Sequence, residues 1–182
     1  MYKSSELLAQ FVDDMPDLEG KQVLDMGCGS GIVSIFAANR GAVCLAVDKN
    51  PASVECTIEN ANVNGLSKNI KAVQSDLFKN IDKQERFNII FFNPPYYEKE
   101  PLNDFELAFN AGSDYRVIRE FITESKEYLK ENGIIYLIIS SDLELHLIAK
   151  MFFESGYSFN LLQMKKRFLE TFYIANAFTK LQ

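Results

Sequence analysis

No uninterrupted apolar run exceeds six residues, the length of the run from Ile134 to Ile139, so no segment is long enough to cross a bilayer as a helix. No membrane attachment is expected. The amino terminus, Met1-Tyr2-Lys3-Ser4-Ser5-Glu6, runs straight into an amphipathic segment and shows no signal-type apolar stretch. Cysteine is scarce: Cys28, Cys44 and Cys56 are odd in number and lack C-x-x-C spacing. A disulfide framework and a four-cysteine zinc site are excluded, no metal ligands are expected, and a cytoplasmic location follows as the default. An excess of positive charge is also missing. Nineteen basic against 25 acidic side chains leave a net charge of −6, without the electrostatic footprint of a protein that grips nucleic acid unaided. What the chain does have is 182 residues, 47% of them hydrophobic and 24% charged. That is too apolar for disorder and suits a single domain, 1–182, with a full-sized core.

Short apolar runs alternate with helical patterns. Val23-Leu24-Asp25 predicts a buried strand ending in a carboxylate, followed by Gly27-Cys28-Gly29-Ser30-Gly31. Ile32 to Asn39 has helical spacing and stops before Gly41. Ala42 to Val47 predicts a second strand closed by Asp48, and Pro51 takes the favoured first position of a helix reaching about Asn64-Gly65. Ile70 to Val73 reads as a third strand ending near Asp76, and Phe87 to Phe92 as a fourth running into Asn93-Pro94-Pro95-Tyr96. A polar stretch to about Asp114 precedes a helix from Tyr115 to Lys130, broken by Gly133 before a fifth strand, Ile134 to Ile139. Asp142 is the expected cap of a helix reaching Glu154 and ended by Gly156. Tyr157 to Thr179 reads as two strands around a basic turn, Lys165-Lys166-Arg167. Phe152, Phe153, Tyr157 and Phe159 fall at core spacing, and His146, the one histidine, reads as an edge-of-core residue rather than a base. The rhythm implies an α/β, Rossmann-like fold: about seven strands, mostly parallel, one antiparallel, with helices on both faces.

In such folds ligands bind beyond the carboxyl ends of the strands. The spacing of Gly27, Gly29 and Gly31 is G-x-G-x-G, with Ile32 where a dinucleotide fingerprint has its last glycine. Asp25 ahead of the loop repels phosphate and suits a cationic ammonium or sulfonium ligand. Asp48 can accept from both hydroxyls of a ribose. Asp76-Leu77 supplies a carboxylate for an adenine amino group and apolar contact for its ring. Three acids at three successive strand ends favour S-adenosyl-L-methionine over a dinucleotide. The plainer readings are a tight glycine turn and an Asp48 helix cap.

Asn93-Pro94-Pro95-Tyr96 follows the strand expected beside the first. Two prolines fix the backbone and remove two donors, leaving carbonyl acceptors. A planar amino group can place its two N–H bonds on the Asn93 side-chain oxygen and the Pro94 carbonyl, with Tyr96 as a stacking face. Holding both protons directs the nitrogen lone pair at a methyl group. Standing alone, the motif would be an ordinary strand-ending turn.

These motifs together resemble the class I S-adenosylmethionine-dependent methyltransferases, and more closely the HemK-type protein glutamine N5-methyltransferases of the short eukaryotic and archaeal branch. Asp25-Met-Gly-Cys-Gly-Ser-Gly is similar to the family's acidic-x-G-x-G-S-G loop, Asp48-Lys49-Asn-Pro-Ala to its D-x-N-P-x element, Asp76-Leu77 to its D-L pair and Asn93-Pro-Pro-Tyr to N-P-P-Y. Ala111-Gly112 with Arg116 resembles a Gly-Gly segment, and Glu170-Thr171 a pair opening the last strand. The N-terminal Tyr2-Lys-Ser-Ser-Glu-Leu-Leu keeps the branch's tyrosine and leucines but not its proline and Glu-Asp pair. The resemblance implies cofactor contacts at Ser5, Asp25, Gly27, Gly29, Gly31, Asp48, Lys49, Asp76, Leu77 and Asn93. The catalytic element is Asn93, Pro94, Pro95 and Tyr96, and S-adenosyl-L-homocysteine is the product. The implied substrate is the glutamine of the Gly-Gly-Gln motif of a class 1 translation release factor, and the implied partner is a small zinc-binding activator subunit forming a heterodimer.

Other readings share this geometry. An adenine N6 or guanine N2 amino group of a nucleic acid is equally planar, although the net charge and short chain count against it. A protein lysine must first lose a proton. A non-catalytic binding platform sits poorly with intact Asp25, Asp48, Asp76 and N-P-P-Y.

Overall fold

The computed structural model describes residues 3–16, 18–95, 115–167 and 170–179, and these build one seven-stranded sheet with helices on both faces. In chain order the elements are α1 (Lys3–Asp13), β1 (Gln22–Met26), α2 (Ile32–Asn39), β2 (Val43–Asp48), α3 (Pro51–Val63) and β3 (Ile70–Gln74). β4 (Phe87–Phe92), α4 (Arg116–Tyr128), β5 (Leu129–Ser140), α5 (Leu145–Glu154), β6 (Tyr157–Arg167) and β7 (Glu170–Thr179) follow. The strand order is β3-β2-β1-β4-β5-β7-β6, with β1 to β5 parallel and β7 antiparallel to both neighbours. The order switches direction between β1 and β4, which opens a crevice at their carboxyl ends.

Alternation along the strands divides the core in two. In β4, Ile89 and Phe91 join the cluster beneath α1, α2 and α3, whereas Phe87, Ile90 and Phe92 join the one beneath α4 and α5. The α4 face that covers the sheet, Ile118, Phe121, Ile122, Ser125 and Tyr128, recurs at helical spacing. Phe92 stacks on Phe121 with centroids 4.1 Å apart, and Phe78 on Tyr128 at 4.6 Å. Each such ring contributes roughly 1.5–3 kcal/mol by burial. Among the described residues no helix is long and apolar enough to cross a membrane.

Several local expectations are corrected. Helix α4 stops at Tyr128, because Leu129 already pairs with Phe87 in the sheet. Gly133 is not a helix breaker. It sits inside β5 after Asn132 at φ 61°, where an added Cβ would lie 2.9 Å from the Lys130 carbonyl and 3.0 Å from that of Phe87. Asp142 does not cap α5: Glu144 holds that position without a side-chain bond, and Asp142 N–H donates to Ser140 Oγ at 3.1 Å. Lys165, Lys166 and Arg167 are not a turn: they belong to strand β6 and pair with β7. Phe153 is exposed, unlike Phe152 and Tyr157, and the His146 side chain is 82% exposed beside Glu144, away from any core edge.

Candidate functional site

The loop from Gly27 to Gly31 joins β1 to α2 at the carboxyl edge of the sheet. Gly27, Gly29 and Gly31 all have left-handed φ values, 72°, 55° and 76°. At Gly31 an added Cβ would stand 2.7 Å from Thr57 Cγ2, so space as well as conformation demands glycine. At Gly27 and Gly29 it would meet nothing within 4 Å, which leaves an open cradle beside the loop. The loop is braced from behind. Gly27 and Cys28 N–H both donate to the Val47 carbonyl at 2.8 and 2.9 Å. From α3, Thr57 Oγ1 donates to the Gly29 carbonyl at 3.1 Å and Asn60 Nδ2 to that of Ser30 at 2.9 Å.

Asp25 lies beneath this loop and is buried. Its Oδ2 accepts both the backbone N–H and the hydroxyl of Ser34, at 3.1 and 2.6 Å, tying β1 to the first turn of α2. Burial pushes its carboxyl up to about 6; the Ser34 bonds oppose the rise and the charge of Asp48 adds to it. Cys28 and Cys44, close by, are buried thiols held far above their ordinary range by burial and by Asp25, and so are inert fillers.

Asp48 ends β2 with both carboxylate oxygens engaged: Oδ2 accepts Gly29 N–H and Oδ1 accepts Asn50 N–H, each at 2.9 Å. Each oxygen keeps a second lone pair. The helix cap expected as its plainer role falls instead to Asn50, whose side chain accepts Ala52 N–H at 3.0 Å. Asp76 meets Lys79 Nζ at 2.6 Å and Lys49 Nζ at 3.6 Å. Partial burial raises its carboxyl, but the two ammonium groups outweigh this and hold it below the ordinary range. Lys49 and Asp76, on neighbouring strand ends, are thus brought together. Leu77 adopts φ 51°, a left-handed conformation that costs a non-glycine residue about 1–2 kcal/mol. Ser75 holds it there, its hydroxyl donating to the Leu77 carbonyl at 2.6 Å and accepting Asn80 N–H at 3.0 Å.

Met26 pairs with Phe92, so Gly27 and Asn93 leave adjacent strands side by side. Asn93 is half-buried and Pro94 and Pro95 are buried. Asn93 Nδ2 donates to the hydroxyls of Ser4 and Ser5 at 3.1 and 3.0 Å, which brings the first turn of α1 onto the site. Tyr96, Ala111 and Gly112 lie outside the described residues. Glu170, opening β7, bonds the buried hydroxyl of Ser140. Sequence reasoning missed Ser4, Ser34, Thr57, Asn60 and Ser75. Only Thr57 and Asn60 left a signal, as polar residues three apart on one face of α3.

Comparison with known proteins places this geometry. A sequence profile described as the methyltransferase small domain matches residues 2–168. A Methanocaldococcus jannaschii protein, provisionally named protein N5-glutamine methyltransferase, is 36% identical over 147 residues, which cover 78% of this chain and 73% of that protein. Further relatives are longer: the chain spans 54% of one and 40% of another. Among solved structures, the E. cuniculi Mtq2–Trm112 complex, responsible for methylation of the eRF1 translation termination factor, superposes with a TM-score of 0.72 at 22% identity. The match covers 99% of this chain and 97% of that one. The T. thermophilus 16S rRNA N2 methyltransferase RsmC, in complex with AdoMet and guanosine, gives 0.76 at 23% identity, covering 99% of this chain and 44% of that one. Both share the fold.

Proposed function

The chain belongs to the methyltransferase small domain family, enzymes that use S-adenosylmethionine, and on that premise we propose that it methylates a planar amide nitrogen. The acceptor in this reading is the glutamine side chain of the Gly-Gly-Gln motif of a class 1 release factor. The observation that carries it is the placement of Asn93-Pro94-Pro95 at the end of β4, level with the glycine cradle on β1. The names of the M. jannaschii and E. cuniculi proteins support glutamine and a termination factor as the substrate class.

The residues present fit the cofactor. Open space beside Gly27 and Gly29 admits a ligand that a side chain would displace, and Asp48 stands against the loop through its bond from Gly29 N–H. Asp48, with a lone pair left on each oxygen, holds ribose hydroxyls. Asp76, kept ionised by Lys79 and Lys49, takes an amino group at the adenine end, with Leu77 against the ring. Asp25, buried beneath the loop, favours a cationic group through its charge rather than by direct contact. Lys49 serves by holding Asp76. When bound, S-adenosylmethionine supplies a methyl group on a positively charged sulfur. The chain's own task is positioning: Asn93 Oδ1 and the Pro94 carbonyl accept the two N–H bonds of the acceptor, with Tyr96 the stacking face that the sequence motif implies. Aligning the nitrogen in this way is worth several kcal/mol of barrier without any acid or base from the protein. The nitrogen loses its proton after it has become cationic.

A small zinc-binding activator subunit completes the proposed assembly, and the two-protein make-up of the E. cuniculi Mtq2–Trm112 complex supports a partner chain. Among the described residues strand β3 ends the sheet with no further strand beside it, and Val43, Ile58 and Val63 expose apolar surface. The decisive experiment offers labelled cofactor to a release factor, to the same factor with its Gly-Gly-Gln glutamine replaced, and to ribosomal RNA, with the methylated atom assigned by mass spectrometry. Label on the intact release factor alone is the expected result. Label on RNA would overturn the amide reading in favour of a base amino group.

A further inference from the structure

Helix α1 is fastened at both ends, and its N-terminal fastening is to the acceptor site. Ser4, which is buried, and Ser5 place their hydroxyls 3.1 and 3.0 Å from Asn93 Nδ2, across 89 and 88 residues of chain. At the other end the Arg40 guanidinium donates to the backbone carbonyls of Asp13 and Met15, the latter at 2.8 Å. Between these anchors Leu7, Leu8 and Val12 are buried, and the Phe11 ring packs on Tyr136 at 5.4 Å. The helix is therefore held against the sheet along its whole length.

An asparagine side chain is a nearly two-fold rotor about its last bond, so its oxygen and nitrogen ends exchange places by a half-turn. Only one of the two orientations offers an acceptor to an incoming N–H; the other sets donor against donor. In the structure both hydroxyls stand at the nitrogen end and accept its two hydrogens, one each. We infer that Ser4 and Ser5 are positioning residues for methyl transfer, holding the nitrogen end of Asn93 so that Oδ1 faces the acceptor, and that α1 is the strap that delivers them. The inference rests on the reading that Asn93 receives the target amide. It gives Ser5 a task other than contact with the cofactor.

The test uses the full chain with Ser4→Ala/Ser5→Ala, Ser5→Thr and Arg40→Ala, alongside Asn93→Ala to identify the Asn93 side-chain signal. The double variant should lose kcat by about 10- to 100-fold, while cofactor Kd stays within about threefold. In 15N-resolved NMR its Asn93 side-chain hydrogens should exchange with solvent faster than in the wild type. Ser5→Thr keeps the hydroxyl and should keep both kcat and exchange protection. Arg40→Ala, which loosens the far end of the strap, should lower kcat by a smaller factor. Unchanged kcat in a folded, active double variant overturns the inference, as does a loss of cofactor affinity equal to the loss of rate. The exchange measurement needs no substrate. If no amide proves to be an acceptor, unchanged exchange still sinks the coupling, whereas accelerated exchange sustains it and leaves only the substrate reading at fault. Should the double variant fail to fold, Ser5→Ala alone carries the same comparison.

Discussion

Three side chains at the site make distinct, separable demands. Asp25 is ionised at neutral pH against the cost of burial, its carboxyl raised from 3.8 to about 6. A raised carboxyl binds more protons in the folded than in the unfolded state across that window, so its contribution to stability falls as pH rises from about 4 to about 6, then levels. Asp25→Asn keeps an oxygen for Ser34 and removes the charge. Its unfolding free energy relative to wild type should therefore climb by up to about 3 kcal/mol between those pH values, read by urea titration at each pH. A difference independent of pH would show that Asp25 is not the titrating group. Asp48→Ala removes the acceptor for Gly29 and Asn50 N–H along with the proposed ribose acceptor. At about 1.5–3 kcal/mol for a charge-assisted bond, cofactor affinity should drop by roughly 10- to 100-fold, measurable by calorimetry. Unchanged affinity would remove the ribose assignment. For Asn93→Ala the expectation is reversed: cofactor binding largely retained and kcat lost by a large factor, since orientation acts on the rate. Equal losses of both would make it a cofactor or folding residue.

At the scale of elements, the β1–α2 loop separates stability from binding. Gly31 and Gly29 share left-handed φ values, but only Gly31 faces a wall, Thr57 on α3. Gly31→Ala adds a clash to the conformational strain and should cost about 2–4 kcal/mol of stability. Gly29→Ala bears the strain alone, about 1–2 kcal/mol, yet its methyl group enters the open cradle. Denaturation curves should therefore rank Gly31→Ala as the less stable variant, while cofactor titration shows Gly29→Ala bound weakly for its stability. The opposite ranking would mean that the cradle lies elsewhere. The same element logic explains Leu77, a strained residue kept in place by the Ser75 hydroxyl rather than by glycine.

At the scale of the whole molecule, the sheet has two edges, β3 and β6, and they differ. Strand β6 carries Lys165, Lys166 and Arg167 and a bulge between Leu161 and Gln163, features that discourage pairing. Strand β3 is regular, with Lys71 exposed near its start and apolar Val43 nearby. Cys44 N–H bonds the Asn69 carbonyl, so in a parallel ladder the Ala72 backbone turns outward, to the open side. Ala72→Pro should thus leave the inner ladder intact while removing an outward donor. Co-purification with the activator subunit should fail for this variant, and cofactor binding should persist. Retention of the complex would place the partner on another surface.

What the sequence by itself determined is whatever has a short-range cause. The limits of β4, Phe87–Phe92, and of α2, Ile32–Asn39, follow from apolar runs and periodicity, and the glycine loop and Asn93-Pro94-Pro95 stand where strand ends put them. The seven strands and the lone antiparallel member follow from the order of elements, because a parallel crossover needs an intervening helix. Tertiary structure decided the rest. Tyr115 to Lys130 looks helical throughout, but Leu129 is taken by Phe87, some forty residues away in sequence, and a ladder partner outweighs local propensity. Lys165 to Arg167 look like a turn and become strand because β7 pairs with them. The serines at 4, 5 and 34 carry no local mark of their partners: a hydroxyl is an adaptable donor and acceptor, and only folding shows whether Asn93 or Asp25 will stand within hydrogen-bond reach of it.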